Sequence, residues 1–207
     1  MTSGPVGASA LDMARKVLHR EATALQAVVD RFEQDSSSFQ AALSMALERI
    51  GRGGKLVFVG VGKSGAYLAN QGIIAHKIAS MLTSMGTLSL FMHPSEALHG
   101  DLGMLSERDV LVLVSYSGES PEIIALLRAG RVQGCARIAM CGKQESTIVR
   151  ACDAWLNCSV PTDEQPHHEA WDEMPVPTCS STATLAIGDA FAVALTHARG
   201  IEDAISS

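Results

Sequence analysis

Aromatic residues are scarce in this chain of 207 residues: they make up 4% of it, with only two tryptophans and two tyrosines. A surface that stacks bases or sugar rings needs several such side chains, so we expect no stacking platform. Long runs of lysine and arginine are also missing, and the 16 basic residues are outnumbered by 22 acidic ones. With a net charge of -6 and no basic patch, the chain is not expected to have nucleic acid as its main partner.

Long hydrophobic runs are absent as well. No stretch approaches the roughly 18 consecutive apolar residues that span a bilayer, and residues 1–16 lack the basic start and apolar core of a secretory signal. The five cysteines form no C-x-x-C pair, which argues against a disulfide framework and against a zinc site. We therefore expect a cytoplasmic protein with reduced, mostly buried thiols and no membrane partner.

Two helical patterns come first in the chain. Apolar residues recur at helical spacing over 10–32, and a second such pattern follows Asp35 and ends at the glycines of 51–54. No strand pattern precedes them, so residues 1–51 are predicted to form a helical arm that packs on the domain or on a second subunit. Residues 52–207 are predicted to form one domain, for which a hydrophobic share of 47% supplies an adequate core.

Beyond the arm, short apolar runs alternate with helical patterns. The runs lack polar alternation, which is typical of strands buried on both faces of a parallel sheet. The alternation predicts a three-layer α-β-α domain, an α/β fold with helices on both sides of the sheet. The predicted strands are 55–60, 88–93, 110–115, 136–141 and 154–160, and the last helix is predicted over about 180–199.

A glycine-rich turn follows the first strand at 60–65. As a nucleotide-binding P-loop it would need glycine at position 57, which is Val57. As a dinucleotide fingerprint it would need an acid about twenty residues on, but the first acid beyond the second strand is Glu96, about thirty residues away. Free backbone N–H groups and the hydroxyl of Ser64 remain, and they predict an anion cradle unless the glycines serve packing alone.

A serine-rich loop follows the third strand at 115–122. Ser120 suits the N-cap of the next helix and Pro121 its first turn, but capping does not explain Ser115 and Ser117. In an open α/β sheet the carboxyl ends of the strands form the ligand crevice. If the first and third strands are neighbours, both loops face one crevice, and hydroxyls and amides without arginine suit a single phosphate on a small molecule.

Four motifs resemble one family: GVGKSG at 60–65, HPSEALHGDLGM at 93–104, SYSGESPEI at 115–123 and PTCSSTATLAIGDAFAVAL at 177–195. They are similar to the sugar isomerase (SIS) fold, and most of all to its arabinose-5-phosphate isomerase group. The resemblance implies a five-stranded parallel sheet of flavodoxin-like order. It also implies interconversion of arabinose 5-phosphate and ribulose 5-phosphate without a cofactor, in a homo-oligomer that is a dimer or a tetramer.

The resemblance also implies the site residues. It places the substrate phosphate on the two loops and gives catalytic parts to a lysine, two glutamates and a histidine. Removing the proton next to a carbonyl needs one placed carboxylate, and a second acid or a lysine can move protons between the oxygens. No metal is expected. The phosphate-binding residues are Gly62, Ser64, Ser115, Tyr116, Ser117 and Ser120, and the catalytic residues are Lys63, Glu122, Glu169 and His99.

Each catalytic candidate has a structural alternative. Glu122 could complement a helix dipole, Lys63 could be a solvated loop residue, and Glu169 could be a surface charge. His99 could serve with Asp101 only to order a turn. The adjacent histidines at 167 and 168 point in divergent directions in most backbones, so we expect no metal site there. At the level of function, a phosphosugar-binding protein without turnover and an isomerase for a hexulose or heptose phosphate stay open.

Three features depart from the family pattern. The sequence stops at Ser207, before a Ser-His-Pro-Gly-Gly segment whose histidine is catalytic in the family, so weaker ring opening or proton shuttling is expected. The paired CBS domains common in the family are absent, so nucleotide regulation through them is not expected. About seven extra residues around 66–72 correspond to two helical turns beside Lys63, and the loop before Pro177 is also longer.

Overall fold

The computed structural model describes residues 8–61, 71–161, 169–171, 173 and 176–201. Two helices precede the first strand, and strands then alternate with helices. The elements are α1 (Ala8–Gln34), α2 (Ser37–Gly51), β1 (Leu56–Gly60), α3 (Gln71–Ser84), β2 (Ser89–Met92), α4 (Pro94–His99), a 3-10 helix (Asp101–Met104), β3 (Val110–Val114), α5 (Pro121–Leu127), α6 (Gly130–Gln133), β4 (Ala136–Cys141), α7 (Thr147–Arg150), β5 (Ala154–Asn157) and α8 (Cys179–Ala198).

The five strands form one parallel sheet in the order β2-β1-β3-β4-β5. This order and the parallel pairing confirm the fold expected from the family resemblance. Strand β2 forms one edge of the sheet next to β1, and β3, β4 and β5 follow on the other side of β1. Because the parallel strands β1 and β3 are neighbours, the loops that follow them begin next to each other.

Both faces of the sheet are covered, because β1 and β3 carry apolar side chains on both sides and are completely buried. Phe58 and Ile138 face a core formed with α1, α2, α3 and α8. Val57 and Leu113 face a second core formed with α4 to α7. Two separate apolar cores with one sheet between them give the predicted three layers.

The two N-terminal helices pack on the domain, because α1 contacts α8, and α2 contacts α8 and β5. A row of aromatic rings joins them: Phe39 packs edge-on against Phe32 at 5.1 Å and against Phe191 of α8 at 6.1 Å between ring centroids. Such edge-to-face pairs stabilise beyond the apolar area they bury. The division of the chain at residue 51 stays a prediction.

Helix α8 is strongly apolar because much of it is buried inside the protein. Among the described helices it alone is long and apolar enough to cross a membrane, by length and composition only. It packs against α1, α2 and α3, and 56% of its apolar window is buried inside the protein. These contacts are those of a core helix.

Three short elements were not predicted: α4, the 3-10 helix and α6. Each has four to six residues, which is too short for a helical period to show in the sequence. His93 caps α4 by accepting the N–H of Ser95 at its Nδ1 atom (3.3 Å), and Pro94 occupies the first turn. Gly100 ends α4 at a φ of +147°.

Candidate active site at the carboxyl edge of the sheet

The loops after β1, β2 and β3 begin side by side. Gly60 at the end of β1 pairs with Val114 of β3, and Val59 pairs with Met92 of β2. The condition that β1 and β3 are neighbours is therefore met. Three predicted site residues of the first loop, Gly62, Lys63 and Ser64, lie outside the described residues, as does most of the extra segment at 66–72.

The loop after β3 holds three serine hydroxyls within six residues. The hydroxyls of Ser115 and Ser120 are 2.8 Å apart and hydrogen-bond to each other. The N–H of Gly118 donates to the Ser115 hydroxyl (3.1 Å), and the N–H of Glu119 donates to the Ser117 hydroxyl (3.2 Å). Hydroxyls and N–H groups are thus concentrated in one tight turn, which is the donor set that an anion requires.

Gly118 permits this turn. Its φ of +65° is a conformation that other residues adopt at a cost, and a Cβ atom on Gly118 would lie 2.1 Å from the hydroxyl oxygen of Ser146. The turn is also tied to the start of α7. Ile148 donates its N–H to the Gly118 carbonyl (3.1 Å), and Thr147 donates its N–H to the Glu119 carboxylate (2.7 Å). These bonds to Thr147 hold the pKa of Glu119 below its usual value.

Ser120 and Pro121 occupy the N-cap and first-turn positions of α5, as predicted. The capping hydrogen bond itself is not formed, because the Ser120 hydroxyl is turned toward Ser115 instead. A serine at an N-cap that gives up its cap bond leaves its hydroxyl beside the others in the loop. Glu122 lies in the first turn of α5 with an exposed side chain, at the end of the same loop.

The side chain of Tyr116 lies away from this group of hydroxyls. Its ring packs against the core on the α8 side of the sheet, and its hydroxyl accepts the N–H of Val160 at 3.2 Å. Gly142 makes room for the ring, since a Cβ there would lie 2.5 Å from it. Burial raises the pKa of Tyr116 to about 12, and the charge of Glu169 acts in the same direction. A phosphate contact from Tyr116 would thus come from its backbone.

Glu169 is buried, with 5% of its surface exposed, and is therefore not a surface charge. Its carboxylate accepts the N–H groups of Thr178 (2.8 Å) and Ser180 (3.3 Å) and both of their hydroxyls. These groups belong to the N-cap and first turn of α8, where backbone N–H groups lack helical partners and favour a negative charge. The sequence showed the glutamate but not its partners, which follow it by nine and eleven residues.

The histidines of the loop after β2 have local contacts. His99, at the end of α4, lies with its Nδ1 atom 2.7 Å from the Ser95 carbonyl, and its side chain is exposed. His93 follows β2 directly and accepts the N–H of Ser95. The family pattern indicated His99 for the site but not His93, which directly follows β2 at the carboxyl edge of the sheet.

No group of three or more metal-ligating side chains occurs within the described part of the chain, and residues 167 and 168 lie outside it. All five cysteines are free, and four of them are buried. Burial raises the pKa of Cys158 to about 12, so this thiol is protonated at neutral pH.

A SIS domain model matches residues 52–194. The chain is 45% identical over 147 residues to the arabinose 5-phosphate isomerase KdsD of Salmonella typhi, and 42% identical over 150 residues to the arabinose 5-phosphate isomerase GutQ of Escherichia coli K12. These matches cover 71% and 72% of this chain, but it spans only 41% and 43% of the relatives. A solved structure, E. coli CFT073 c3406 in complex with A5P, superposes with a TM-score of 0.80 at 32% identity and 96% coverage of both chains.

Proposed function

Because the chain belongs to the SIS domain family, we propose that it is an isomerase that interconverts an aldose phosphate and the matching ketose phosphate. One observation carries the proposal: the hydroxyl-rich loop at 115–120 begins next to the end of β1, at the carboxyl edge of the sheet. A compact group of hydroxyl and N–H donors at this edge suits a phosphate, and the exposed carboxylate of Glu122 lies at the end of the same loop.

The substrate that we propose is arabinose 5-phosphate, with ribulose 5-phosphate as the product. Support comes from the two relatives named as arabinose 5-phosphate isomerases and from the related structure in complex with A5P. In this proposal Ser115, Ser117 and Ser120 bind the phosphate, assisted by Gly62 and Ser64. The hydroxyls would exchange their present contacts within the loop for the phosphate oxygens.

The proposed chemistry proceeds through an enediolate. The carboxylate of Glu122 removes the proton from C2 of the aldose, and the electrons of the broken C–H bond form the C1–C2 double bond while the carbonyl oxygen gains charge. The acid formed on Glu122 then donates a proton to C1 while the proton of the C2 hydroxyl passes to the C1 oxygen, which gives the ketose. Lys63 and Glu169 are proposed to move protons between the two sugar oxygens and to stabilise the developing charge, with His99 beside the site.

We further propose that the enzyme works without a cofactor or metal, in the cytoplasm and as a homo-oligomer. Neither nucleic acid nor a membrane is proposed as a partner. The proposal that no redox cofactor is needed rests on the reaction itself, because aldose–ketose exchange moves protons and neither gains nor loses electrons overall. The proposal that nucleic acid is not a partner rests on the acidic composition of the chain.

Proton exchange tests the proposal. The protein is incubated in deuterium oxide with arabinose 5-phosphate and, separately, with hexose and heptose phosphates, and NMR follows both product formation and loss of the C2 proton signal. Exchange with arabinose 5-phosphate supports the proposal, and exchange with another sugar alone assigns a different substrate. Binding of the sugar phosphates without any exchange would identify a phosphosugar-binding protein and refute the enzyme.

Glu122→Gln tests the base. The amide cannot accept the C2 proton, so we expect turnover to fall by on the order of a hundredfold or more, with sugar-phosphate affinity retained. Glu145→Gln is the matched control, because Glu145 is exposed and lies in another loop at this edge of the sheet. Turnover of Glu122→Gln close to that of the control would remove Glu122 from the proton transfer.

A further inference from the structure

Two arginines of α1 bind backbone carbonyls at the carboxyl edge of the sheet. Arg31 donates to the carbonyls of Ser159 (2.7 Å) and Asn157 (3.2 Å), at the end of β5. Arg20 donates to the carbonyls of Ala170 (3.0 Å) and Glu169 (3.3 Å), before the start of α8. We call these two arginines and the four carbonyls the α1 clasp.

The clasp holds the first part of the connection from β5 to α8 at two places. Arg20 and Arg31 are eleven residues apart, which is three helical turns, so they lie on one face of α1 about 16 Å apart along its axis. Arg31 binds the start of the connection, and Arg20 binds its middle at residues 169–170, before α8 begins at Cys179. One helix thus holds both places, through bonds between residues separated by 126 to 150 positions in sequence.

Arginine is suited to this role. Its guanidinium group is planar, stays charged and presents several N–H donors in a fixed arrangement, so one side chain can serve two carbonyls at once. Hydrogen bonds from a charged donor are also stronger than those between neutral groups. Both arginines are partly buried, which limits competition from water.

Arg20 acts on the peptide that carries Glu169. On one side of this peptide the guanidinium binds the carbonyls of residues 169 and 170. On the other side the Glu169 carboxylate binds the start of α8, and the Ala170 N–H donates to the Thr178 hydroxyl at 2.9 Å. The position of the carboxylate is therefore set from two directions, by α1 and by α8.

The Arg31 end of the clasp is linked to the hydroxyl-rich loop through Val160 and Tyr116. Arg31 binds the carbonyl of Ser159, and the next residue, Val160, donates its N–H to the Tyr116 hydroxyl. Tyr116 is part of the hydroxyl-rich loop. The clasp thus contacts segments that adjoin the hydroxyl-rich loop and Glu169, although neither arginine belongs to that loop or to α8.

We propose that Arg20 is a positioning residue for turnover: by holding the backbone at 169–170 it places the Glu169 carboxylate. This inference rests on the proposed function and on the proposed part of Glu169 in it. In this inference Arg20 acts through Glu169 and not on the substrate. Its removal should therefore lower kcat, while the phosphate loop keeps its affinity.

The experiment compares Arg20→Ala, Arg20→Lys and Arg15→Ala in the full chain. Arg15 lies on the same helix with its side chain exposed and pairs only locally, with Asp12, which makes it the matched control. We expect Arg20→Ala to lower kcat by on the order of tenfold to a hundredfold. The inhibition constant of inorganic phosphate should change less than about twofold. Guanidinium ion at low millimolar concentration should restore part of the lost kcat in Arg20→Ala and have no effect on Arg15→Ala.

A general loss of folding would look different. It would lower the active fraction of the protein without rescue by guanidinium. In a folded Arg20→Ala variant, a loss of kcat that guanidinium does not restore overturns the inference. If Arg20→Ala does not fold, Arg20→Lys decides, because lysine keeps the charge but lacks the planar guanidinium group and its fixed arrangement of N–H donors. An unchanged kcat in Arg20→Lys then counts against the clasp, and a reduced kcat with unchanged phosphate inhibition supports it.

Hydrogen exchange separates this inference from the proposed function. The N–H groups of Thr178 and Ser180 bind Glu169, so Arg20→Ala should speed their exchange by about tenfold or more, while Arg15→Ala leaves it unchanged. If the unmodified protein shows no turnover, the proposed function fails, and the positioning of Glu169 is still decided by this measurement. Unchanged exchange in Arg20→Ala overturns it.

Discussion

Replacing Gly118 by alanine should disrupt the hydroxyl-rich loop in two independent ways. The φ of +65° costs a residue with a side chain about 1–2 kcal/mol. The added Cβ would lie 2.1 Å from the hydroxyl oxygen and 2.3 Å from the Cβ of Ser146, so one segment must move, at a further cost of about 1–3 kcal/mol. Together these give a loss of about 2–5 kcal/mol in the free energy of unfolding.

A double-mutant cycle separates the two costs. Ser146→Gly removes both clashing atoms, and the next contact of the Cβ is then the Cys141 sulfur at an ordinary 3.6 Å. In this background Gly118→Ala should cost only the backbone part, about 1–2 kcal/mol. Ser146→Gly alone replaces the N-cap of α7 by another tolerated cap residue, so its own effect should be a few tenths of a kcal/mol.

Urea unfolding followed by circular dichroism measures the stability of the unmodified protein, the two single variants and the double variant. Inhibition by inorganic phosphate measures how well the hydroxyl-rich loop of each protein binds phosphate. Gly130→Ala is the control, because a Cβ at Gly130 meets no atom within 4 Å and its φ is not positive. We expect the control to be neutral or slightly stabilising. The reasoning is refuted if Gly118→Ala is as stable as the control, or if its cost does not change when Ser146 is glycine.

Two further predictions concern the phosphate and the response to acid. Ser117→Ala removes one hydroxyl from the loop and should weaken binding of a sugar phosphate by about 1.5–3 kcal/mol, seen by titration calorimetry; unchanged affinity would exclude a direct contact. Burial raises the pKa of Asp109, but hydrogen bonds from Lys55 and Ser106 and the charge of Lys55 hold it below its usual value. Its ionised form therefore stabilises the fold at neutral pH, and this part is lost as the pH falls below about 4. Asp109→Asn should lower stability at pH 7 and flatten the fall in acid, and equal slopes in urea unfolding between pH 5 and 3 would contradict this.

The sheet could be predicted from the sequence because its signals are local. Each strand is a short apolar run bounded by glycine or polar residues, and four of the five start and end within one residue of the predicted bounds. The fifth ends at Asn157, three residues early, since the chain leaves the sheet there although Cys158 and Val160 stay buried. Strand order came from the family motifs.

The contacts of the site could be predicted only in part. Serines in a turn after a strand indicated an anion-binding loop, but nothing local shows that Ser120 binds Ser115 and leaves its cap bond unmade. The acceptor role of Glu169 at the start of α8 depends on a long loop folding back. The bonds of Arg20 and Arg31 join residues more than a hundred positions apart, and an arginine on a helix has the same pattern whether it meets solvent or a carbonyl.

The apolar helix α8 has a consequence for how the protein is made. It covers α1, α2 and α3, all of which leave the ribosome well before it does. Until α8 emerges, the ring of Phe39 lacks its partner Phe191, and the apolar faces of α1, α2 and α3 that α8 covers are exposed to water. This layer can therefore form only after α8 has been translated. Before then, we expect the incomplete chain to bind chaperones that cover exposed apolar surface.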